Sequence, residues 1–128
     1  MKLHHIGVAV KDLDEALKQW SVFGLVSTTT EEVSGEKVRV AFLGDCSPKI
    51  ELLEPTDPSS VIEKFLQKRG EGLHHLCYEV EDIEKTMQDL ISKGATFTSE
   101  AKLGSQGSRV SFIYPKHLGG VLVELRQV

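Results

Sequence analysis

The stretch LHHIGVAVKDLDEALKQWSVFGLVSTT, residues 3–29, decides the fold, because a related stretch follows it 70 residues later as LHHLCYEVEDIEKTMQDLISKGATFTS, residues 73–99. The two stretches align without a gap through a histidine pair, an aspartate, a glycine and a threonine. The same shift places RVAFL (39–43) over RVSFI (109–113), and a shift of 73 places IEL (50–52) over VEL (123–125). Repetition of this extent indicates that the chain contains two copies of one structural module.

Each copy is predicted to form a strand, a helix and three further strands. The apolar, β-branched run at 3–10 is typical of a strand. Asp12 is a candidate N-cap with Glu15 three residues later, and Gly24 is suited to end the helix. The remaining strands are predicted at about 25–33, 37–43 and 49–54 in the first copy, and at about 95–101, 108–114 and 120–126 in the second.

Between the copies, the segment PTDPSSVIEKFLQKRGEG predicts a short amphipathic helix that begins after Ser59 or Ser60. We therefore expect one domain over residues 1–128, with a first module at about 1–54, a connecting helix at about 55–70 and a second module at about 71–128. The predicted fold class is α+β, with two tandem βαβββ modules that form a curved mixed sheet around a central metal site.

Composition excludes several classes of function. The chain has 128 residues and a net charge of −4 with acidic and basic residues interspersed, which argues against a nucleic-acid partner. No apolar run approaches the ~20 residues of a membrane span, and the N-terminus does not resemble a signal peptide. Cys46 and Cys77 lie in unlike contexts and predict free thiols. We expect a cytoplasmic protein without a membrane partner.

Strand alternation separates the two histidines of each pair, because neighbouring side chains point to opposite faces of a sheet. His4 shares its predicted face with large apolar residues, whereas His5 shares its face with Gly7 and Ala9, which leave space. The same alternation distinguishes His74 from His75. We expect His4 and His74 to pack against the helices, and His5 and His75 to face a binding site.

The last predicted strand of each module carries a carboxylate among apolar residues, at Glu51 and Glu124. A buried carboxylate requires a partner, because an unpaired buried charge is strongly unfavourable. Glu51 could pair with Lys49 or Arg39 instead of an ion. If the two modules pack about a pseudo-twofold axis, two imidazoles and two carboxylates meet, a set suited to Co, Ni, Zn, Mn or Fe. The predicted metal ligands are His5, Glu51, His75 and Glu124.

Nearly the whole chain resembles the methylmalonyl-CoA epimerase family of the vicinal oxygen chelate superfamily. The matching stretches are HHIGVAVKDLDEAL, VRVAFLGDCSPKIELLEP, SSVIEKFLQKRGEGLHHLCYEVEDIE and GSQGSRVSFIYPKHLGGVLVEL. The resemblance implies that His5, His75 and Glu124 bind a divalent ion, with Glu51 at the position of a fourth ligand. It also implies a homodimer, an acyl-CoA substrate and a cobalt ion, with nickel, zinc or manganese as alternatives.

The reaction implied by the resemblance is the interconversion of (R)- and (S)-methylmalonyl-CoA through a metal-stabilised enolate. Inversion requires an acid/base on each face of the carbon, or one that reaches both. Glu124 is the first candidate and Glu51 the second. Some members of the family carry a glutamate on the third strand, where this chain has Val40.

Four residues are candidates for binding the substrate carboxylate or the CoA arm. Lys116 follows a proline, and the other three lie in the glycine-bearing loop GSQGSR: Ser105, Gln106 and Gly107. A solvated β-turn is the alternative interpretation of both segments.

Three other functions remain open within the superfamily. A glyoxalase I-type lactoylglutathione lyase would use a similar ligand set, but residues 6–20 lack the arginine expected to bind glutathione. An extradiol dioxygenase would bind iron with two histidines and one carboxylate, which leaves Glu51 without a role. A non-catalytic small-molecule-binding member would not need the set His5, His75 and Glu124.

Overall fold

Each copy of the repeat folds as a strand, a helix and three strands in the computed structural model, which describes residues 1–27 and 29–128. Thr28, which the repeat aligns with Thr98, lies outside the described residues. The first copy contains β1 (Lys2–Ala9), α1 (Leu13–Phe23), β2 (Thr30–Val33), β3 (Val38–Leu43) and β4 (Lys49–Pro55). The connecting helix is α2 (Val61–Arg69). The second copy contains β5 (Gly72–Val80), α3 (Ile83–Ser92), β6 (Lys102–Leu103), β7 (Arg109–Ile113) and β8 (Val123–Gln127).

The strands form one mixed sheet of eight strands in the order β2-β3-β4-β1-β5-β8-β7-β6. Within each copy the first strand pairs with the last strand in parallel, β1 with β4 and β5 with β8. The two copies join where β1 and β5 pair in antiparallel orientation at the centre of the sheet. The sheet curls into a half-barrel, so the predicted α+β fold with a curved mixed sheet is confirmed.

The two faces of the sheet have different coverings. On the outer face, Leu13 and Ala16 of α1 pack with Ala41, Leu43 and Leu52, while α3 packs against β5 and β8. On the inner face, Ile62 and Leu66 of α2 pack in one apolar cluster with residues of the first module. The inner face beyond α2 carries the buried polar side chains of the two central strands and their parallel neighbours.

The capping residues predicted from the sequence lie at the ends of the helices. The carboxylates of Asp12 and Asp82 accept hydrogen bonds from the backbone N–H groups of Glu15 and Lys85, at 3.1 and 3.0 Å. Gly24 ends α1 with φ of 105°, in the left-handed region that favours glycine. Ser60 is the cap of α2 and accepts a hydrogen bond from the N–H of Ile62. Among the described residues no helix is long and apolar enough to cross a membrane.

Three observed strands differ from their predicted bounds. Of the strand predicted at 25–33, the residues that the structure describes form a strand at Thr30–Val33. The segment predicted as a strand at 95–101 runs beside β7 with one isolated bridge, Phe97 to Ile113, and β6 begins only at Lys102. The last strand begins at Val123 rather than at 120, because Gly119 and Gly120 have φ of 64° and 95°.

Candidate metal centre and adjoining cavity

Four side chains on four neighbouring strands meet at the centre of the inner face. The Nε2 atom of His5 lies 3.2 Å from Oε1 of Glu51 and 3.2 Å from Oε1 of Glu124. The Nε2 atom of His75 lies 3.4 Å from each of the same two oxygen atoms. The two Nε2 atoms are 3.1 Å apart. The structure thus brings together the four side chains predicted as metal ligands.

The register of the sheet explains this convergence. Gly7 pairs with both His75 and Glu51, so it lies between a histidine and a carboxylate in the central strands. A Cβ added at Gly7 would lie 2.2 Å from the ring of His75, so the absent side chain leaves room for that imidazole. On the other side, Glu124 pairs with Cys77, the residue that faces His5 across the antiparallel pair. Parallel pairing thus places Glu51 beside Gly7 and Glu124 beside Cys77, and the antiparallel pairing of β1 with β5 places a histidine of the other module next to each of these two residues.

The donor set fits a divalent ion. Adjacent ligands at about 2.1 Å from an ion lie roughly 3.0 Å apart in octahedral geometry and roughly 3.4 Å apart in tetrahedral geometry. The five nitrogen–oxygen and nitrogen–nitrogen separations given above are 3.1–3.4 Å. The two imidazole nitrogens face each other, and both face the same two carboxylate oxygens. A cation between these four atoms would bind lone pairs of all of them. We conclude that His5, Glu51 and His75, whose ligand atoms all lie within 4.8 Å of one another, can hold a metal ion, and that Glu124 contacts both imidazoles of this group.

Burial determines the charge state of the metal-free cluster. The four residues are 1–6% exposed, so their charges are satisfied by one another rather than by water. Burial opposes the charged form of His75, but its hydrogen bonds to Glu124 and Glu51 outweigh this effect and raise its pKa to about 10. The same balance raises the pKa of His5. Burial opposes ionisation of Glu51 and Glu124, yet hydrogen bonds from both imidazoles lower the pKa of each carboxyl.

The expectation that His4 and His74 pack against the helices holds only in part, because His74 contacts α2 whereas His4 contacts β3. The ring of His4 contacts Phe42 edge-on, with centroids 6.1 Å apart, and the ring of His74 contacts Phe65 edge-on at 4.9 Å. Each histidine is the extra residue at a register shift between β1 and β5, as is typical of a β-bulge. A bulge interrupts the alternation of side chains. The rings of His4 and His74 therefore lie with their Nδ1 atoms beside those of His5 and His75.

This orientation gives His4 and His74 a contact with the ligand rings. The Nδ1 atoms of His4 and His5 are 2.7 Å apart, and those of His74 and His75 are 2.9 Å apart. Burial lowers the pKa of His4 and of His74 to about 4, so both rings are neutral at physiological pH. A ligand that uses Nε2 for an ion carries its proton on Nδ1 and can donate it to a neutral imidazole. His4 and His74 are placed to orient the ligand rings in this way.

A cavity of about 370 Å³ opens beside the cluster, which is large enough for a small ligand. Its walls come from both modules: the turn before β3, the first residues of α2, His74 and His75 of β5, and Thr98 and Phe112 of the second module. His75 is thus shared between the cluster and the cavity wall. A molecule in the cavity would lie beside the candidate metal centre.

The four residues predicted to bind substrate do not form one patch. Ser105, Gln106 and Gly107 form a short 3-10 helix before β7, while Lys116 lies in a second 3-10 helix, Pro115–Leu118, after β7. These two segments lie at opposite ends of a five-residue strand, a separation of roughly 17 Å. Ser105 is buried, whereas Gln106 and Lys116 are exposed. Their role in substrate binding stays a prediction.

The loop that contains Gln106 is held by both modules. The backbone N–H of Gln106 donates to the two carboxylate oxygens of Glu31 at 2.9 and 3.1 Å. The side-chain Oε1 of Gln106 accepts a hydrogen bond from Nη2 of Arg126 at 2.9 Å. Arg126 is 7% exposed, and its Nη1 atom has no hydrogen-bond partner among the described residues. Sequence reasoning did not identify Arg126, because the apolar pattern of β8 indicates only burial.

Three further charged side chains at the cavity, those of Glu36, Lys37 and Lys102, were not identified from the sequence. Glu36 and Lys37 lie in the turn between β2 and β3, and both line the cavity. Neither the repeat nor the spacing of polar residues points to them, because the corresponding segment of the second copy has a different sequence.

Comparison with known proteins identifies relatives of the same fold. Residues 4–112 match the family model described as Glyoxalase/Bleomycin resistance protein/Dioxygenase superfamily. The chain is 40% identical to the mitochondrial methylmalonyl-CoA epimerase of Mus musculus, over 98% of this chain and 72% of that protein. It is 39% identical to the ethylmalonyl-CoA/methylmalonyl-CoA epimerase of Cereibacter sphaeroides, over 99% of this chain and 98% of that protein.

A solved structure of methylmalonyl-CoA epimerase in complex with methylmalonyl-CoA and NH4+ superposes with a TM-score of 0.91 and 36% sequence identity. The match covers 98% of this chain and 93% of the solved one. Fold and sequence agree, and the chain belongs to the glyoxalase/bleomycin resistance protein/dioxygenase superfamily.

Proposed function

We propose that this protein is a methylmalonyl-CoA epimerase, which interconverts (R)- and (S)-methylmalonyl-CoA. The observation that carries this proposal is the meeting of two histidines and two carboxylates beside a cavity of about 370 Å³. Relatives of nearly the same length are named epimerases of this substrate, and one solved relative contains methylmalonyl-CoA itself.

The proposed ligands of the metal are His5, Glu51, His75 and Glu124, and the proposed ion is cobalt, with nickel, zinc or manganese as alternatives. When bound there, a divalent ion supplies a positive charge that stabilises negative charge on substrate oxygens. His4 and His74 orient the two imidazole rings through their Nδ1 contacts. The apolar surroundings exclude water and strengthen these electrostatic interactions.

Proton transfer at carbon 2 is assigned first to Glu124 and second to Glu51. Both carboxylates are ionised in the cluster, because the two imidazoles lower their pKa values. An ionised carboxylate can accept the proton of carbon 2 and return it. Contacts from the Ser105–Gly107 loop and from Lys116 are proposed for the acyl-CoA substrate.

Exchange of the proton at carbon 2 tests the reaction. Wild-type protein loaded with Co²⁺ and incubated with methylmalonyl-CoA in deuterium oxide should incorporate deuterium at carbon 2 and interconvert the two epimers. His5→Ala and His75→Ala should lose this activity together with bound metal. Turnover of the hemithioacetal of methylglyoxal and glutathione, without exchange into methylmalonyl-CoA, would establish the lyase function instead.

The homodimer and the cytoplasmic location remain predictions of the sequence. Light scattering of the purified protein tests the first, with about twice the mass of the 14.2 kDa chain as the expected result. Cell fractionation tests the second, and the comparison is informative because the relative from Mus musculus is named as mitochondrial.

A further inference from the structure

Glu36 is held rigidly at the edge of the cavity. It lies in the turn that joins β2 to β3, and its backbone N–H donates to the carbonyl of Val33 at 3.1 Å. The next residue, Lys37, has φ of 55°, an unusual value for a residue with a side chain. Its carbonyl accepts from the N–H of Thr56 at 2.9 Å, and its Nζ donates to Oγ of Ser59 at 2.5 Å. These contacts anchor the turn to the segment before α2.

The carboxyl group of Glu36 reaches from the first module to the second. A Cβ added at Gly104 would lie 3.3 Å from Oε1 of Glu36, so this oxygen lies against the loop before β7. Glu36 and His75 line the same cavity, with Phe112 in the wall as well. Among residues 1–27 and 29–128, the Glu36 carboxyl forms no hydrogen bond to protein and is affected only by burial and by nearby charges. The group is therefore free to act on a molecule in the cavity.

Inversion at a carbon atom requires a group that removes the proton from one face and a group that delivers a proton to the other. Glu51 and Glu124 both contact the two imidazoles, so both lie at the candidate metal centre. Val40 is 1% exposed within the apolar cluster under α2 and offers no proton. We propose that Glu36 is the second acid/base of the epimerase, acting on the face of carbon 2 opposite to the glutamate at the metal centre. The inference rests on the proposed function.

The charges around Glu36 are compatible with this role. Burial raises the pKa of Glu36 to about 7, and the negative charges of Glu124 and Glu51 add to the effect. Lys102 and His75 act in the opposite direction. Protonated and ionised forms are thus both populated near neutral pH, as a group that donates in one direction and accepts in the other requires.

The two half-reactions balance. In one direction, the ionised glutamate at the metal centre takes the proton from carbon 2, and the electron pair of that C–H bond enters the thioester carbonyl to form the enolate. The protonated Glu36 then delivers its proton to the other face, where the enolate electron pair forms the new C–H bond. In the reverse direction Glu36 removes the proton and the other glutamate delivers one. Exchange of protons with water then returns Glu36 and the glutamate at the metal centre to their starting protonation states.

Stereospecific exchange tests the assignment. Glu36→Gln removes the acid/base but retains the size of the side chain, so epimerisation should fall about 10²–10⁴-fold. The variant should still exchange the carbon 2 proton of one epimer with deuterium oxide, without inversion, and should fail to exchange the other epimer. Glu36→Asp should recover part of the inversion rate. Glu32→Gln, which changes an exposed carboxylate of the same hairpin, serves as the control with wild-type activity.

Metal content and melting temperature of Glu36→Gln should equal those of the wild type, which separates a loss of proton transfer from a loss of structure. Epimerisation by Glu36→Gln within threefold of the wild-type rate, or loss of exchange for both epimers, would overturn the inference alone. Absence of any exchange by metal-loaded wild-type protein would instead overturn the proposed function, and the inference with it.

Discussion

Metal binding at pH 8 should release protons, because the ligand histidines are protonated in the metal-free protein. His75 has a pKa raised to about 10, so about 0.99 of the molecules carry this proton at pH 8, compared with about 0.03 for an ordinary histidine. His5 also has a raised pKa and adds a second contribution. Since a metal ligand must be deprotonated at Nε2, each bound ion should release about one to two protons.

Calorimetric titration measures this number directly. Co²⁺ or Zn²⁺ is titrated into metal-free protein in several buffers of different ionisation enthalpy at pH 8. The slope of the apparent enthalpy against the buffer enthalpy then gives the number of protons released. For each proton released, the apparent affinity should also rise about tenfold per pH unit below the pKa of the ligand.

His117→Gln is the matched control, because His117 lies outside the cluster, where its Nε2 accepts from the N–H of Thr96 at 3.0 Å. This variant should release the same number of protons as the wild type. A release close to zero in the wild type would show that the imidazoles of His5 and His75 are neutral at pH 8. The ion-paired description of the metal-free cluster would then be refuted.

Three further outcomes are expected. His4→Phe and His74→Phe should each weaken metal binding about 10–100-fold with the fold intact, because each removes the partner of a ligand Nδ1. Competition with a chelator measures this affinity, and an unchanged affinity would contradict the orienting role of His4 and His74. A metal ion at a free concentration 100 times its Kd should stabilise the wild type by about 2.7 kcal/mol. For a chain of this length, this raises the melting temperature by about 10 °C. The melting temperature of His75→Ala should not rise when the metal is added. Gln106→Ala should lower the free energy of unfolding in urea by about 1–3 kcal/mol, because it removes the hydrogen bond to buried Arg126. Arg126→Met should leave the free energy of unfolding unchanged or raise it. Equal decreases in both variants would argue against the importance of this hydrogen bond.

The repeat made the fold and the meeting of the four candidate ligands predictable. Two copies of one module have their functional side chains at equivalent positions. A sequence shift of 70 therefore relates His5 to His75, and a shift of 73 relates Glu51 to Glu124. Parallel pairing within each module, together with the antiparallel pairing of β1 with β5, then brings the carboxylate of one module close to the histidine of the other. Only one assumption was needed, that the modules pack about a pseudo-twofold axis, and the central pairing of β1 with β5 satisfies it.

The orientation of His4 and His74 could not be predicted from strand alternation. Alternation assumes a regular ladder, and the two bulges become visible only once the register between β1 and β5 is known. Glu36 presents a similar difficulty. Its direction depends on the left-handed backbone of Lys37 and on anchors in the segment before α2, neither of which has a local sequence signal.

The duplication also bears on how such a site can arise. Each module contributes one imidazole and one carboxylate, so a protein of a single module would hold only half of the ligand set. It could assemble the whole set only by association with a second copy, and its metal affinity would then depend on protein concentration. Fusion of the two modules through α2 makes that encounter intramolecular, with an effective concentration that does not change on dilution. The two halves of the ligand set were then free to diverge, and residues present in one half alone, such as Glu36 and Arg126, could distinguish the two ends of a bound substrate.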